Sequence, residues 1–212
     1  MNALKYIKTK INILKYDFSS IKRYRQLLNL ILNQKPKSII EIGVYKGLRS
    51  AQMLNAAKVY NNGVDFYGFD LFEDFYSEDK ILDKELSKKP NSQNKIYDYL
   101  KNYGQINLYK GFTHDTLPKF IDKKLKVDFI FIDGGHSIET IKNDWLNVSK
   151  MMHEKTIVVF DDFYHDDKEL VKSFGCNDVI LNLDKKYKVT YLPIIDKIDK
   201  NKLKIQLVQV TL

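Results

Sequence analysis

The 212-residue chain holds a single cysteine, Cys176, so no disulfide can close within it and a reducing compartment suits it. No apolar run approaches the roughly 18 residues that a membrane span requires. The start, Met1 to Tyr16, is basic but lacks the continuous apolar stretch of a signal peptide. These absences predict a soluble, cytoplasmic protein with no integral membrane segment. Arginine is nearly as scarce. Arg23, Arg25 and Arg49 are the only three, so the formal net charge of +8 is carried by lysine. Sequence-specific nucleic-acid binders concentrate arginine where forked contacts to phosphate or guanine are needed. Lysine spread through every segment reads instead as solvated surface, and nucleic acid is not an expected partner. No repeat or low-complexity linker interrupts the chain, and 44% hydrophobic content is enough for one sizeable core.

Leu4, Ile7, Ile11, Leu14 and Phe18 recur at steps of three and four with lysines between them, the pattern of an amphipathic helix. Asp17, Ser19 and Ser20 then offer caps for a second helix with the apolar face Ile21, Tyr24, Leu28, Ile31 and Leu32, closed by Pro36. Residues 1–35 are thus expected to form an N-terminal helical segment. Its apolar stripe would pack inward or make a homo-oligomer contact, with a membrane-surface helix or an active-site lid as alternatives. Residues 36–212 read as one α/β domain. Strands are predicted at 38–42, 64–69, 106–110, 127–132 and 156–160, with helices at 48–60, 93–102, 138–151 and near 167–174. This alternation argues for a doubly wound, mostly parallel sheet. The charged stretch 72–92 reads as a loop with some helix, and two strands over 188–193 and 203–210 would be antiparallel.

The chemistry lies in two runs, Phe131-Ile-Asp-Gly-Gly-His-Ser137 and Ile157-Val-Val-Phe-Asp-Asp-Phe163. Each is an apolar strand pattern that stops abruptly in carboxylates. Ligands of open α/β sheets bind outside the carboxyl ends of the strands. Asp133, His136, Asp161 and Asp162 would therefore meet at one rim, the composition of a divalent-metal site with a general base beside it. Helix capping by Asp161 and Asp162 is the alternative. His114 and His165 are expected on exposed loops, and His153 at a helix C-terminus. Phe72, Phe75, Tyr76, Phe112, Phe163 and Tyr164 are candidates to stack on a ligand at the rim.

A second constellation begins at Glu41-Ile-Gly-Val-Tyr-Lys-Gly47, where the first strand turns into a helix. Its spacing differs from the G-x-G-x-x-G of dinucleotide folds. A carboxylate before the turn would repel phosphate but can hold an amine-bearing ligand. Asp70, at the end of the next strand, can accept both hydroxyls of a ribose. A ribose without phosphate beside a positive charge points to S-adenosylmethionine.

Those residues carry a resemblance. The chain resembles class I S-adenosylmethionine-dependent methyltransferases and, within them, the macrocin O-methyltransferase family of metal-dependent sugar O-methyltransferases. The likeness runs from about Ser38 to Val210. Besides the segments above it includes Gly68-Phe-Asp-Leu-Phe-Glu73, Lys110-Gly-Phe-Thr-His-Asp-Thr-Leu-Pro118 and Ile205-Gln-Leu-Val-Gln-Val210. Gly135 stands where that family often has an acidic residue, and the family's long N-terminal extension is absent. The resemblance implies a seven-stranded sheet with its last strand antiparallel, and a magnesium site of Asp133, Asp161 and Asp162 with His136 as base. Cofactor contacts are expected from Glu41, Gly43, Gly47, Asp70, Phe112 and Asp133. The implied acceptor is a hydroxyl of a sugar or glycoconjugate, with a catechol-type or other small-molecule acceptor as the alternative. Nucleic-acid methylation is disfavoured by the lack of an Asn-Pro-Pro-Tyr-like motif, and a non-catalytic role by retention of all four rim residues.

Overall fold

Two strands with no polar face set the centre of the molecule. β1 (Ser38–Ile42) and β4 (Phe129–Ile132) run parallel and adjacent, with Ile39 opposite Phe129. Every residue of β4 and all but the first of β1 are buried, which is possible only mid-sheet with both faces covered. The computed structural model describes residues 2–18, 21–76, 90–165, 167–198 and 203–212. The expected caps Ser19 and Ser20, most of the 72–92 loop, and the side chains of Asp17, Phe75 and Tyr76 lie outside that description.

From the centre the chain winds out in both directions. β2 (Asp65–Asp70) and β3 (Gln105–Lys110) extend one side. β5 (Ile157–His165), β6 (Lys188–Ile198) and β7 (Leu203–Thr211) extend the other. The seven-stranded order is β3-β2-β1-β4-β5-β7-β6, with β7 antiparallel to both neighbours, as expected. The direction of winding reverses between β1 and β4, which makes the carboxyl ends of those two strands the place for a site.

Alternate residues serve opposite faces of the sheet. Ile39, Phe66, Phe129 and Phe131 join one cluster with α2 (Tyr24–Gln34), α3 (Leu48–Ala57) and α4 (Gln93–Leu100). Ile40, Ile42, Ile130 and Ile132 join the other with α5 (Thr113–Ile121), α6 (Ile138–Val148) and α7 (Asn177–Leu181). Leu27, Leu28, Ile31 and Leu32 of α2 are buried in the first cluster, so the N-terminal segment shares its core with the sheet. No helix among the described residues is long and apolar enough to cross a membrane.

Four local readings change. α5 carries His114, expected on a loop, and contains Pro118. The proline removes one helical hydrogen bond, and burial of Leu117 and Phe120 against the sheet offsets that loss. Near 167–174 there is only a 3₁₀ turn at Leu170–Lys172, and the helix follows at α7. His153 is no helix-end partner: its Nε2 lies 3.1 Å from Asp128 Oδ1 and its Nδ1 accepts the Lys155 amide. The fourth concerns α1 (Ala3–Leu14), whose apolar stripe does not pack inward, the first of the uses expected for it. It docks through Tyr6, Thr9 and Ile13, held by the Asn2 amide on the Val59 carbonyl and by Lys10 on Asn29. Its apolar stripe faces solvent, with Leu4 61%, Ile7 54% and Ile11 51% exposed.

That orientation predicts a contrast in stability. Ile11→Lys should change unfolding free energy by no more than about 0.5 kcal/mol, the range of exposed sites. Ile13→Ala should cost about 2–4 kcal/mol, because it empties a packed position. Urea unfolding of the two variants measures this, and equal losses would show that the stripe packs inward.

Candidate active site

The expected pair Asp161 and Asp162 does not end its strand. Both lie inside β5 at a bulge, between Phe160 opposite Val208 and Phe163 opposite Gln206. Two residues of β5 thus oppose one of β7, and bulges of this kind re-aim side chains. Asp162 has a φ of 60°, a left-handed conformation that short polar residues tolerate best. β6 breaks register at the same height, and Gln26 of α2 closes that gap by accepting the Ile194 amide at 2.8 Å. The β5 bulge brings Asp161 and Asp162 to a depression shared with Asp133, His136 and Cys176.

The other wall is made where two backbones touch. The Asp133 amide donates to the Ile42 carbonyl at 2.9 Å, and the Gly43 amide to the Phe69 carbonyl at 2.9 Å. A Cβ on residue 43 would lie 1.9 Å from the Asp133 carbonyl oxygen, and its φ of 91° also demands glycine. The close approach at Gly43 is therefore to the neighbouring strand end. Gly47 has a φ of 76° and packs beneath Tyr99 and Ile96. Asp70 accepts the Tyr45 amide at 2.7 Å on one oxygen and the Phe72 amide at 2.9 Å on the other, which ties the turn to β2. Each oxygen keeps a second lone pair. Glu41 is fully buried, and burial pushes its carboxyl well above the usual range. One of its oxygens accepts the Ser50 hydroxyl, while Oε1 has no hydrogen-bond partner in the protein.

His136 stands at the mouth. Its Nδ1 is 2.5 Å from Asp162 Oδ2, and its side chain is 39% exposed. The expected rim aromatics divide. Phe72 and Phe163 are core residues, whereas Phe112 is half-exposed and stacks on His114 at 5.1 Å. His165 is not on an exposed loop but in β5, paired with Gln206 at 2.8 Å.

Asp161 belongs to a buried network that the motifs did not reveal. Arg23, just before α2, grips it with two parallel bonds, Nε to Oδ1 at 2.8 Å and Nη2 to Oδ2 at 2.9 Å. The Tyr24 hydroxyl donates to Oδ2 at 2.7 Å, and the Asp162 amide to Oδ1 at 2.8 Å. Arg23 also reaches Asp196 of β6 at 3.2 Å, and Asp196 in turn accepts the backbone amides of Lys22 and Arg23. The Arg49 guanidinium lies 3.4 Å from the centre of the Tyr24 ring. Burial alone would raise the Asp161 carboxyl, but the charge and hydrogen bonds of Arg23 hold it below the usual carboxylate range. Asp133 moves the other way: burial first, then the charges of Asp161 and Asp162, push it well up. Burial, with Asp162 and Asp161 nearby, also raises the Cys176 thiol, which stays neutral. One sequence signal pointed here. In a chain that uses lysine for its surface, two of the three arginines sit at this site.

A magnesium ion does not fit this arrangement. An ionised carboxylate offers about four lone-pair sites. Those of Asp161 meet four donors: two from Arg23, one from Tyr24 and one from the Asp162 amide. Asp162 is engaged by His136, and the Tyr24 hydroxyl stands 3.4 Å from Asp133 Oδ2. Among the described residues no three acidic, histidine or cysteine side chains converge as a metal set. The expected grouping of Asp133, Asp161 and Asp162 is present as a neighbourhood but not as a ligand set.

The methyltransferase domain family model matches residues 40–163, from β1 through the β5 bulge. The chain belongs to that family. No curated protein matches it by sequence. Among solved structures it is similar to the O-methyltransferase from Bacillus cereus in complex with SAH, at 13% identity and a TM-score of 0.61, over 97% of this chain and 90% of that one. It is also similar to TomG, the O-methyltransferase of tomaymycin synthesis from Streptomyces achromogenes in complex with SAM, at 14% identity and 0.60, over 88% and 78%. A third likeness is precorrin-6y C5,15-methyltransferase from Geobacter metallireducens, at 12% identity and 0.53, over 88% and 87%. The fold is common to these proteins, two described as O-methyltransferases and one as a C5,15-methyltransferase.

The Arg23–Asp161 pair predicts an acid limb of stability. A carboxyl lowered on folding stabilises above its unfolded value, near pH 4, and that contribution is lost as pH falls through the lower folded value. Asp161→Asn should therefore be less stable than the parent at pH 5, with the gap narrowing below about pH 4. Urea midpoints across this range test it, and a gap that stays constant would deny the pair its role.

Proposed function

We propose that the chain transfers a methyl group from S-adenosylmethionine to a hydroxyl oxygen, with His136 as general base. The observation that carries this reading is the His136–Asp162 pair at the carboxyl end of β4, half-exposed at the rim where the sheet changes direction. Asp162 fixes the imidazole with its hydrogen on Nδ1, which puts the basic lone pair on Nε2. A hydroxyl is a weak acid and must shed its proton as its oxygen attacks. His136 takes that proton and passes it to solvent, with Asp162 stabilising the imidazolium. Bound S-adenosylmethionine supplies an electrophilic methyl group on a sulfonium.

Residues on the β1 side fit such a cofactor. Asp70 has lone pairs left for ribose hydroxyls, and the unpartnered Oε1 of buried Glu41 lies under the glycine turn, suited to a cationic group or a water that bridges to one. Gly43 and Gly47 shape the turn, Asp133 borders it, and half-exposed Phe112 is available to stack on the adenine. The acceptor we propose is a hydroxyl of a sugar or glycoconjugate, by resemblance to the macrocin O-methyltransferases. The half-exposed His136 beside Asp162 leaves polar groups at the rim, which favours a polyol over the narrow apolar slot that a catechol needs. We place this activity in the cytoplasm, and any homo-oligomer on the outward stripe of α1.

Two measurements test the reading. Asp70→Asn should weaken S-adenosylmethionine binding by about 1.5–3 kcal/mol, the value of charge-assisted hydrogen bonds. Unchanged affinity by titration calorimetry in a folded variant would remove Asp70 from the ribose. With an acceptor found by screening polyols against catechols, His136→Gln should lower turnover about 10²–10⁴-fold while leaving cofactor affinity intact. Glutamine can hydrogen-bond but cannot take a proton, so near-normal turnover would leave His136 as a positioning group only.

A further inference from the structure

We infer that the guanidinium of Arg23 is the resident cation of this site, standing at Asp161 where a divalent metal would bind, so that the site works without one. The inference rests on the methyl-transfer reading for its chemistry, but its evidence is the network itself. A metal reaching Asp161 would have to displace one of four donors, each 2.7–2.9 Å away. It would also have to approach a guanidinium that shares the same oxygens, and like charges repel strongly where water is scarce. Arg23 cannot step aside cheaply. Its side chain and that of Asp196 are 8% and 3% exposed, and moving it would strand both Asp161 and Asp196 as buried, unbalanced carboxylates.

The arrangement also replaces what a metal would do for its ligands. Arg23 neutralises Asp161 and donates to the Tyr24 oxygen at 3.1 Å, while the Tyr24 hydroxyl links Asp161 to the edge of Asp133. The Tyr24 hydroxyl thus occupies the space between the Asp133 and Asp161 carboxylates. Proton removal from an acceptor is left to His136 and Asp162, while the side-chain hydrogen bonds of Arg23 fall on Asp161, Asp196 and Tyr24. Arg23 is accordingly a positioning residue that acts through Asp161.

Manganese is the probe, because it takes the oxygen-rich octahedral sites that magnesium does and its free ion has a strong paramagnetic resonance signal. The full chain, with and without S-adenosylhomocysteine, is titrated at sub-millimolar manganese. The expected result is a free-ion signal undiminished by the protein, together with calorimetric binding of S-adenosylhomocysteine in the same sample. A stoichiometric loss of the signal that Asp161→Asn abolishes would overturn the inference. Arg23→Gln opens Asp161 and should create manganese binding where the parent has none, provided circular dichroism shows the variant folded. If it does not fold, the parent and Asp161→Asn still decide the question. Failure to bind S-adenosylhomocysteine would sink the methyl-transfer reading while leaving the manganese result interpretable.

Discussion

The fork of Arg23 on Asp161 is the interaction on which the rest of the site depends. It joins a residue just ahead of α2 to a bulge in β5, and through Asp196 it reaches β6. Without that fork the bulge would hold the Asp161 carboxylate with no balancing charge, next to Asp162, whose φ of 60° already disfavours most side chains. The helix that carries Arg23 also supplies Gln26 to the β6 irregularity and four apolar residues to the core. Stability and site geometry therefore rest on one helix. A change in its seating would move Asp161 and Tyr24 together, and Asp133 would lose a polar neighbour.

A second constraint lies at the Gly43–Asp133 seam. The Gly43–Asp133 contact locks the ends of β1 and β4 at backbone distance, where even a methyl group cannot enter. On one side of that seam stand Glu41 and Asp70, suited to a nucleoside with a cationic group. On the other stand Asp133, His136 and the β5 bulge. On the function proposed above, a methyl donor and a hydroxyl acceptor brought to opposite sides of one seam would meet with little freedom to misalign, and such positioning supplies much of the rate advantage of a transfer site.

The sheet was legible because its signals are local. The apolar runs ending in Asp70 and Asp133 each gave a strand within two residues of its observed span, and the run before Asp161 gave the first part of β5. What local patterns could not carry was any pairing across the chain. Arg23 and Asp161 are 138 positions apart, and nothing in the spacing of either announces the other. The Asp-Asp pair read as a strand end because carboxylates commonly close strands, yet a bulge let β5 continue to His165. α5 was not predicted, and it forms despite Pro118 because Leu117 and Phe120 are buried against the sheet. α1 shows the converse: its periodicity was right, but periodicity cannot say which side a partner takes.

The composition carries one further lesson about the site. A lysine at position 23 could neutralise Asp161 as well as arginine does, since the charge is the same. It could not place Nε and Nη2 on the two oxygens of one carboxylate, Nη1 on Asp196 and a further bond on the Tyr24 hydroxyl, because an ammonium is a compact point with three donors. Lysine suffices wherever this chain needs only solubility, and it is used there throughout. At position 23 planar, multidentate geometry is required, and arginine stands there. In a lysine-rich chain the rare arginine is therefore informative in a way that net charge is not: it marks a place where direction, and not charge, is the constraint.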